Sequence, residues 1–296
     1  MIWCSGWKLA AAASNAGGLG IIGAGSMYPN ILEEHIIKCK HATDKPFGVN
    51  VPLLYPDIDQ LMKIIVNQGV KIVFTSAGNP ATWTNHLKEN GIIVVHVVSN
   101  VKFALKSEAC GVDAIVAEGF EAGGHNGREE TTTLCLIPMV KKAVKIPVIA
   151  AGGIGTGRTM AAAFALGANG VQIGSRFVTS KESSAHENFK RAIVQAKEGE
   201  TELSFKKLTP VRLLKNAFYE KVKVAELNGA SQEELKEILG RARAKKGMFE
   251  GDLEEGELEI GQISGGIDSI LSAKEIMDEI IEEYNKTISE QAGQIF

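Results

Sequence analysis

The sequence predicts an α/β fold of the TIM (β/α)8 barrel type, with its first strand largely missing at the N-terminus and a C-terminal helical appendage. Three observations carry this. Short apolar runs alternate with amphipathic or alanine-rich segments in strand–helix units of roughly 20 to 30 residues. The apolar runs lack polar alternation, as expected of parallel strands covered by helices on both faces. Glycine-rich turns follow several of them, at the end of a barrel where active sites are built.

The elements follow in order. Residues 6–16 are alanine-rich and predict a helix ended by Gly17-Gly18. A strand at 19–23 follows. Pro29 opens a helix to about Lys40, in the first turn where its missing N–H costs little. Strands are expected at 46–53, 70–74, 92–98, 113–117, 146–150 and 170–174. Helices between them are expected at 57–68, 81–89, 101–110, 134–144 and 159–167, with a further one at 184–197. In the 57–68 helix, Ile58, Leu61, Ile64 and Ile65 fall on one buried face. This makes seven strands between Leu19 and Gly174, with a helix before the first. Only residues 1–5 remain for an eighth, so it is expected to be absent or a stub at 1–3. The alternative is an open, doubly wound sheet with a nucleotide at its switch point.

From about Gly199 the pattern changes. Basic residues outnumber acidic ones over 201–250, and 251–296 is strongly acidic. Helices are predicted at 211–227, 231–245 and 272–285, with 250–263 as loop. Ser231 and Glu234 form a capping box. The expected division is a barrel over 1–198 and, over 199–296, a helical appendage packed on its mouth. The charges of the appendage read as solvated helix faces.

Composition narrows the function. With 296 residues, 45% of them hydrophobic, the chain can bury a large core. A net charge of -3 and few aromatics argue against nucleic acid or a membrane surface as partner. Cys4, Cys39, Cys110 and Cys135 are scattered in apolar settings, as for reduced thiols of a cytoplasmic protein. No run approaches the length of a membrane span, and no signal peptide is evident. No His, Cys, Asp and Glu set has metal-ligand spacing.

The chemistry is placed in residues 117–127, where a strand ends in Glu118 and four glycines bracket His125. Glycine lets backbone lie against a flat or anionic ligand. Histidine exchanges a proton near neutral pH. The stretch reads either as an acid/base site on a bound cofactor or as a flexible loop with a surface histidine. Gly152-Gly153 and Gly174-Ser175 fall in the loops after strands 7 and 8, where barrels bind phosphate, although each also suits a plain strand-to-helix turn. Asn50 and Gln172 are polar within apolar strands, as satisfied core groups or as cofactor contacts. Residues 75–79 end another strand. His96 reads as a satisfied core histidine, and His35, His41, His86 and His186 carry no signal.

These residues resemble a known superfamily. Glu121-Ala122-Gly123-Gly124-His125-x-Gly, the run from Pro147 to Ile154 and the run from Gln172 to Phe177 look like enoyl-acyl-carrier-protein reductase II (FabK) and nitronate monooxygenase. Lys45 to Asn50, Ser76 to Pro80 and Asn15 to Gly20 match too. The resemblance is close over about 6–190 and looser over 261–283. It implies a TIM barrel binding FMN. Gly152, Gly153, Gly174 and Ser175 would hold the phosphate. Asn50, Glu118, Ala122 and Gly123 would lie along the flavin, with Gly124, Ala151 and Gln172 as further contacts. His125 would be the catalytic acid or base. NADH or NADPH would be the reductant, and acyl-carrier protein or a small nitronate the substrate partner, in a chain compatible with a homodimer. Thr131-Thr132 and the run from Gly261 to Gly265 look more like the reductase branch. The other readings are the monooxygenase and a non-catalytic phospholigand barrel. The family usually begins with an apolar strand ending in Gly-Gly-Met, of which only Met1 matches here.

Overall fold

The computed structural model describes residues 2–293. In chain order its elements are α1 (Trp7–Asn15), β1 (Gly20–Gly23), α2 (Pro29–Ala42), β2 (Phe47–Pro52), α3 (Ile58–Asn67), β3 (Ile72–Ser76), α4 (Thr84–Glu89), β4 (Ile93–Val98) and α5 (Val101–Ala109). There follow β5 (Ala114–Glu118), β6 (Gly124–His125), α6 (Thr133–Ala143), β7 (Val148–Ala151), α7 (Gly157–Ala165), β8 (Gly170–Gln172), α8 (Ser175–Val178) and α9 (Glu187–Gln195). The remainder holds β9 (Thr201–Ser204), β10 (Val211–Leu214), α10 (Ala217–Leu227), α11 (Gln232–Leu239) and α12 (Ala273–Ala292).

Seven strands form one sheet in the order β1-β2-β3-β4-β5-β7-β8, every neighbouring pair parallel. The order never reverses, as it would in a doubly wound sheet. The sheet curls into part of a barrel. Alternation along each strand sorts its side chains onto two faces. Val49, Val51, Val73, Val94, Ile115, Ala117, Val148 and Ala150 point outward into the main core, against Leu32, Ile36, Leu61, Ile65, Leu136 and Val140 of the helices. Phe74, Val95, Val116 and Ala151 form the inner cluster.

β1 and β8 are the edges, and no described strand joins them. Met1, part of the expected stub, lies outside the described residues. Residues 2–5 form no strand, yet they tie the two sides of the opening together. The Gly23 N–H donates to Ser5 O at 2.9 Å and Ser5 Oγ donates to Ile21 O at 2.6 Å. Ser183 Oγ donates to Cys4 O at 2.9 Å and Ser184 Oγ to Trp3 O at 2.6 Å. All three residues of β8 remain partly exposed, in contrast to the buried interior strands, because one edge has no neighbour. α12 packs on both α1 and α7, the helices that precede β1 and β8. The α7 contact is backbone to backbone: a Cβ on Gly157 would lie 2.2 Å from Tyr284 N. Glu283 also accepts from the Gly157 N–H at 2.7 Å, capping α7 from outside.

The region beyond Gly199 contains the expected helices and a feature the sequence did not reveal. β9, β10 and β6 form a three-stranded antiparallel sheet in the order β6-β10-β9. Residues 211–214, expected to start a helix, are its central strand. Their apolar run suits either period, and pairing on both edges decides for strand. The helix begins only at Ala217, where Asn216 caps it by accepting from the Tyr219 N–H at 2.9 Å. The helix expected over 231–245 stops at Leu239, because Gly240 takes φ +61 and ends it.

The α7–α12 contact tolerates no side chain at its crossing. Gly157→Ala should lower stability by about 1–3 kcal/mol, read as a shift of the urea midpoint at constant slope.

Candidate active site

Strand parity carries most of the expected polar groups to one place. Asn50, Glu118, Ala151 and Gln172 alternate with outward-facing neighbours, so they share the inner face, near the C-terminal ends of β2, β5, β7 and β8. Asn50 Nδ2 donates to Phe74 O at 3.3 Å and to Ser76 Oγ at 3.4 Å. Glu118 sits where burial pushes its carboxyl up to about 7. It therefore keeps its proton, and with it a hydrogen-bond donor, to higher pH than a free carboxyl. His96, by the same parity, faces the helices. Its Nδ1 lies 2.7 Å from Thr75 Oγ1, and burial pushes it down to about 4, a neutral core histidine as the sequence suggested.

The glycine loops adjoin this face. Gly152 and Gly153 take φ +93 and +69, a left-handed pair that favours glycine. A Cβ on Gly152 would also lie 2.8 Å from Gly119 O. Gly174 differs: nothing lies within 4 Å of where its Cβ would be, so the space there is open. Ser175 Oγ accepts from the Gly261 N–H at 3.0 Å. The loop after β5 is held by Glu121, a residue whose role the sequence did not suggest. Its two carboxylate oxygens accept from the Thr133 N–H at 3.1 and 2.9 Å, at the start of α6. Thr133 Oγ1 in turn donates to Gly152 O at 2.8 Å, joining the loops of β5 and β7. Ala122 turns back on this loop, its N–H donating to Gly119 O at 3.1 Å. A Cβ on Gly123 would meet Ile260 C at 2.4 Å, so the 260–261 backbone covers one side of that glycine.

His125 lies in a strand, where the sequence suggested a loop. Val211 is opposite His125 and Arg212 opposite Gly124. Arg212 is buried, and its Nε and one terminal nitrogen donate to Phe120 O at 3.1 and 3.0 Å. Its guanidinium also lies 4.3 Å from the centre of the Phe120 ring. The backbone of the histidine is thus fixed while its side chain stays exposed. The site gains three more residues that no motif marked. Glu259 makes a single antiparallel bridge to Leu213, one residue along from the Arg212–Gly124 pair. Glu257 lies two residues before it. Tyr55, from the β2–α3 loop, has its hydroxyl pushed up by burial and then by Glu259 and Glu257. Among the described residues no His, Cys, Asp and Glu group is placed to hold a metal ion. No described helix is long and apolar enough to cross a membrane.

Comparison with known proteins places this geometry. The family model for nitronate monooxygenase matches residues 1–62 and 55–283. The structure of FabK from Thermotoga maritima superposes with a TM-score of 0.95 at 44% identity, covering 100% of this chain and 94% of that one. A Mycobacterium tuberculosis protein, (3aS,4S,5R,7aS)-5-hydroxy-7a-methyl-1-oxo-octahydro-1H-indene-4-carboxyl-CoA dehydrogenase, is 33% identical over 95% of this chain and 90% of its own. A probable nitronate monooxygenase of Staphylococcus saprophyticus is 34% identical over 73% of this chain and 74% of its own. These relatives are oxidoreductases.

The half-buried Glu118 gives the protein a pH signature. Its folded-state value lies above the ordinary 4.5, so the folded chain binds the extra proton between about pH 4.5 and 7. Stability should therefore fall as pH rises across that window, by at most about 3 kcal/mol. Glu118→Gln should flatten this part of the curve, measured by denaturant unfolding at a series of pH values.

Proposed function

The chain belongs to the nitronate monooxygenase family, and on that premise we propose that it is an FMN-dependent, NAD(P)H-using oxidoreductase that reduces the enoyl thioester of acyl-carrier protein. The observation that carries this reading is the 44% identity to FabK across the whole chain. The dehydrogenase relative, whose name specifies a carboxyl-CoA substrate, supports a thioester in the site. The second reading is a nitronate monooxygenase, favoured by the family model and the staphylococcal relative.

The residues fit the cofactor. The open space at Gly174, beside Ser175 and the left-handed Gly152-Gly153 pair, suits a phosphate held by backbone N–H groups. Asn50, Glu118 and Gln172 offer polar contacts above an apolar inner cluster, as a flavin ring requires, with Ala122, Gly123, Gly124 and Ala151 as close backbone. FMN, when bound, supplies the hydride chemistry. The chain's own part is orientation and proton control. Glu118, whose proton is retained to higher pH by burial, would offer a hydrogen bond to the flavin. Reduction of an enoyl thioester adds a hydride at Cβ and a proton at Cα, and His125, exposed on a fixed strand, delivers that proton.

Anaerobic mixing separates the readings. NADH or NADPH should bleach the flavin, and crotonyl thioester should restore it. Anaerobic bleaching of the oxidised flavin by an alkyl nitronate, with oxygen consumed on later aeration and no reoxidation by the thioester, would select the second reading. A protein that purifies without flavin and takes none up would defeat both.

Two substitutions locate the roles. Gly174→Leu should fold as wild type and lose FMN on desalting, because its side chain fills ligand space alone. Gly152→Val is a poorer probe, since strain and the contact with Gly119 O disturb it without any ligand. His125→Ala should retain FMN and lose about 10²–10⁴-fold in the substrate half-reaction, measured by rapid mixing. Wild-type reoxidation in that variant would remove His125 from the mechanism.

A further inference from the structure

We propose that Glu259, backed by Glu257, is the charge partner of His125 and the source from which its proton is replaced. The inference rests on the proposed function, since it gives His125 a proton to deliver. Glu259 acts through His125 and is a positioning residue.

The geometry is specific. β10 is paired with β9 along one edge, so the Leu213–Glu259 bridge lies on the edge that also pairs with β6. Gly124 stands opposite Arg212 and Glu259 opposite Leu213, so Glu259 continues the line of the histidine strand. A Cβ built on Gly124 would sit 2.4 Å from Glu259 Oε2. The carboxylate therefore rests on the backbone next to His125, and only a glycine at 124 leaves room for it. Glu257, two residues before Glu259, is 7% exposed, with Arg243 as the cation that acts on its carboxyl.

Electrostatics agrees with this placement. Burial pushes Glu257 up to about 8, with Glu259 raising it further and Arg243 opposing. Burial likewise raises Glu259, while His125 lowers it. The charge of Glu259 makes Glu257 hold its proton more strongly than a free carboxyl would. Among the described residues the other groups that face the pair are Tyr55 and Cys4, both shifted by Glu259. The steps balance. The imidazolium N–H bond breaks as the Cα–H bond of the substrate forms. The pair's O–H proton then remakes the N–H bond, and water at the mouth restores the pair.

The test uses the full chain with FMN and carboxyl-labelled glutamate, followed by NMR against pH. His125→Ala should raise the titration midpoint of Glu259, because it removes the charge that lowers it. Glu257→Gln should lower that midpoint by about a unit or more. In rapid mixing with crotonyl thioester, Glu259→Gln should move the alkaline fall of the rate to lower pH, and Glu259→Asp should return it part of the way. A Glu259 midpoint unmoved by His125→Ala, or a pH profile unmoved by Glu259→Gln, overturns the proposal. If the thioester is not turned over at all, the functional reading fails, while the glutamate titration still decides the pairing.

Discussion

The candidate site depends on one buried cation. Arg212 binds the carbonyl of Phe120 through two donors and covers its ring, and in doing so joins the loop after β5 to a strand more than eighty residues later. Burial lowers its pKa, and Glu121, Glu130 and Glu202 oppose that shift. A buried guanidinium is tolerated only when its donors are satisfied. Here the acceptor is backbone of the very loop that carries the histidine. The β6–β10 pairing then extends this anchor to Gly124 and His125.

Around that anchor the loops support each other. Glu121 caps α6 and Thr133 passes the connection to the loop of β7. Gln262 donates its N–H to Glu121 O at 2.9 Å, and Gly261 donates to Ser175 at the end of β8. Residues 259–262 therefore touch the loops after β5 and β8. A site built on strand ends and cross-linked loops is more rigid than its glycine content suggests, which suits chemistry that depends on orientation.

The open side of the barrel has its own solution. With no strand between β1 and β8 among the described residues, closure passes to residues 2–5 at the mouth and to α12 outside. Gly157 and Glu283 give the latter contact a fixed register.

What the sequence determined by itself is the part governed by local period and composition. Apolar runs and turn glycines placed all seven parallel strands and marked Asn50, Glu118 and Gln172 as polar groups on them, while their shared face follows from the paired sheet. The satisfied state of His96 was legible for the same reason, since a histidine within an apolar strand must find a partner. Tertiary structure decided what depends on contacts between distant segments. Val211–Leu214 has no local preference that separates strand from helix, and only its partners make it a strand. Gly124–His125 is too short to show any period. Glu257 and Glu259 looked like solvated charges in an acidic tail, because burial of a carboxylate leaves no mark in sequence. Their place beside His125 follows from strand pairing across the chain, which long-range packing alone specifies.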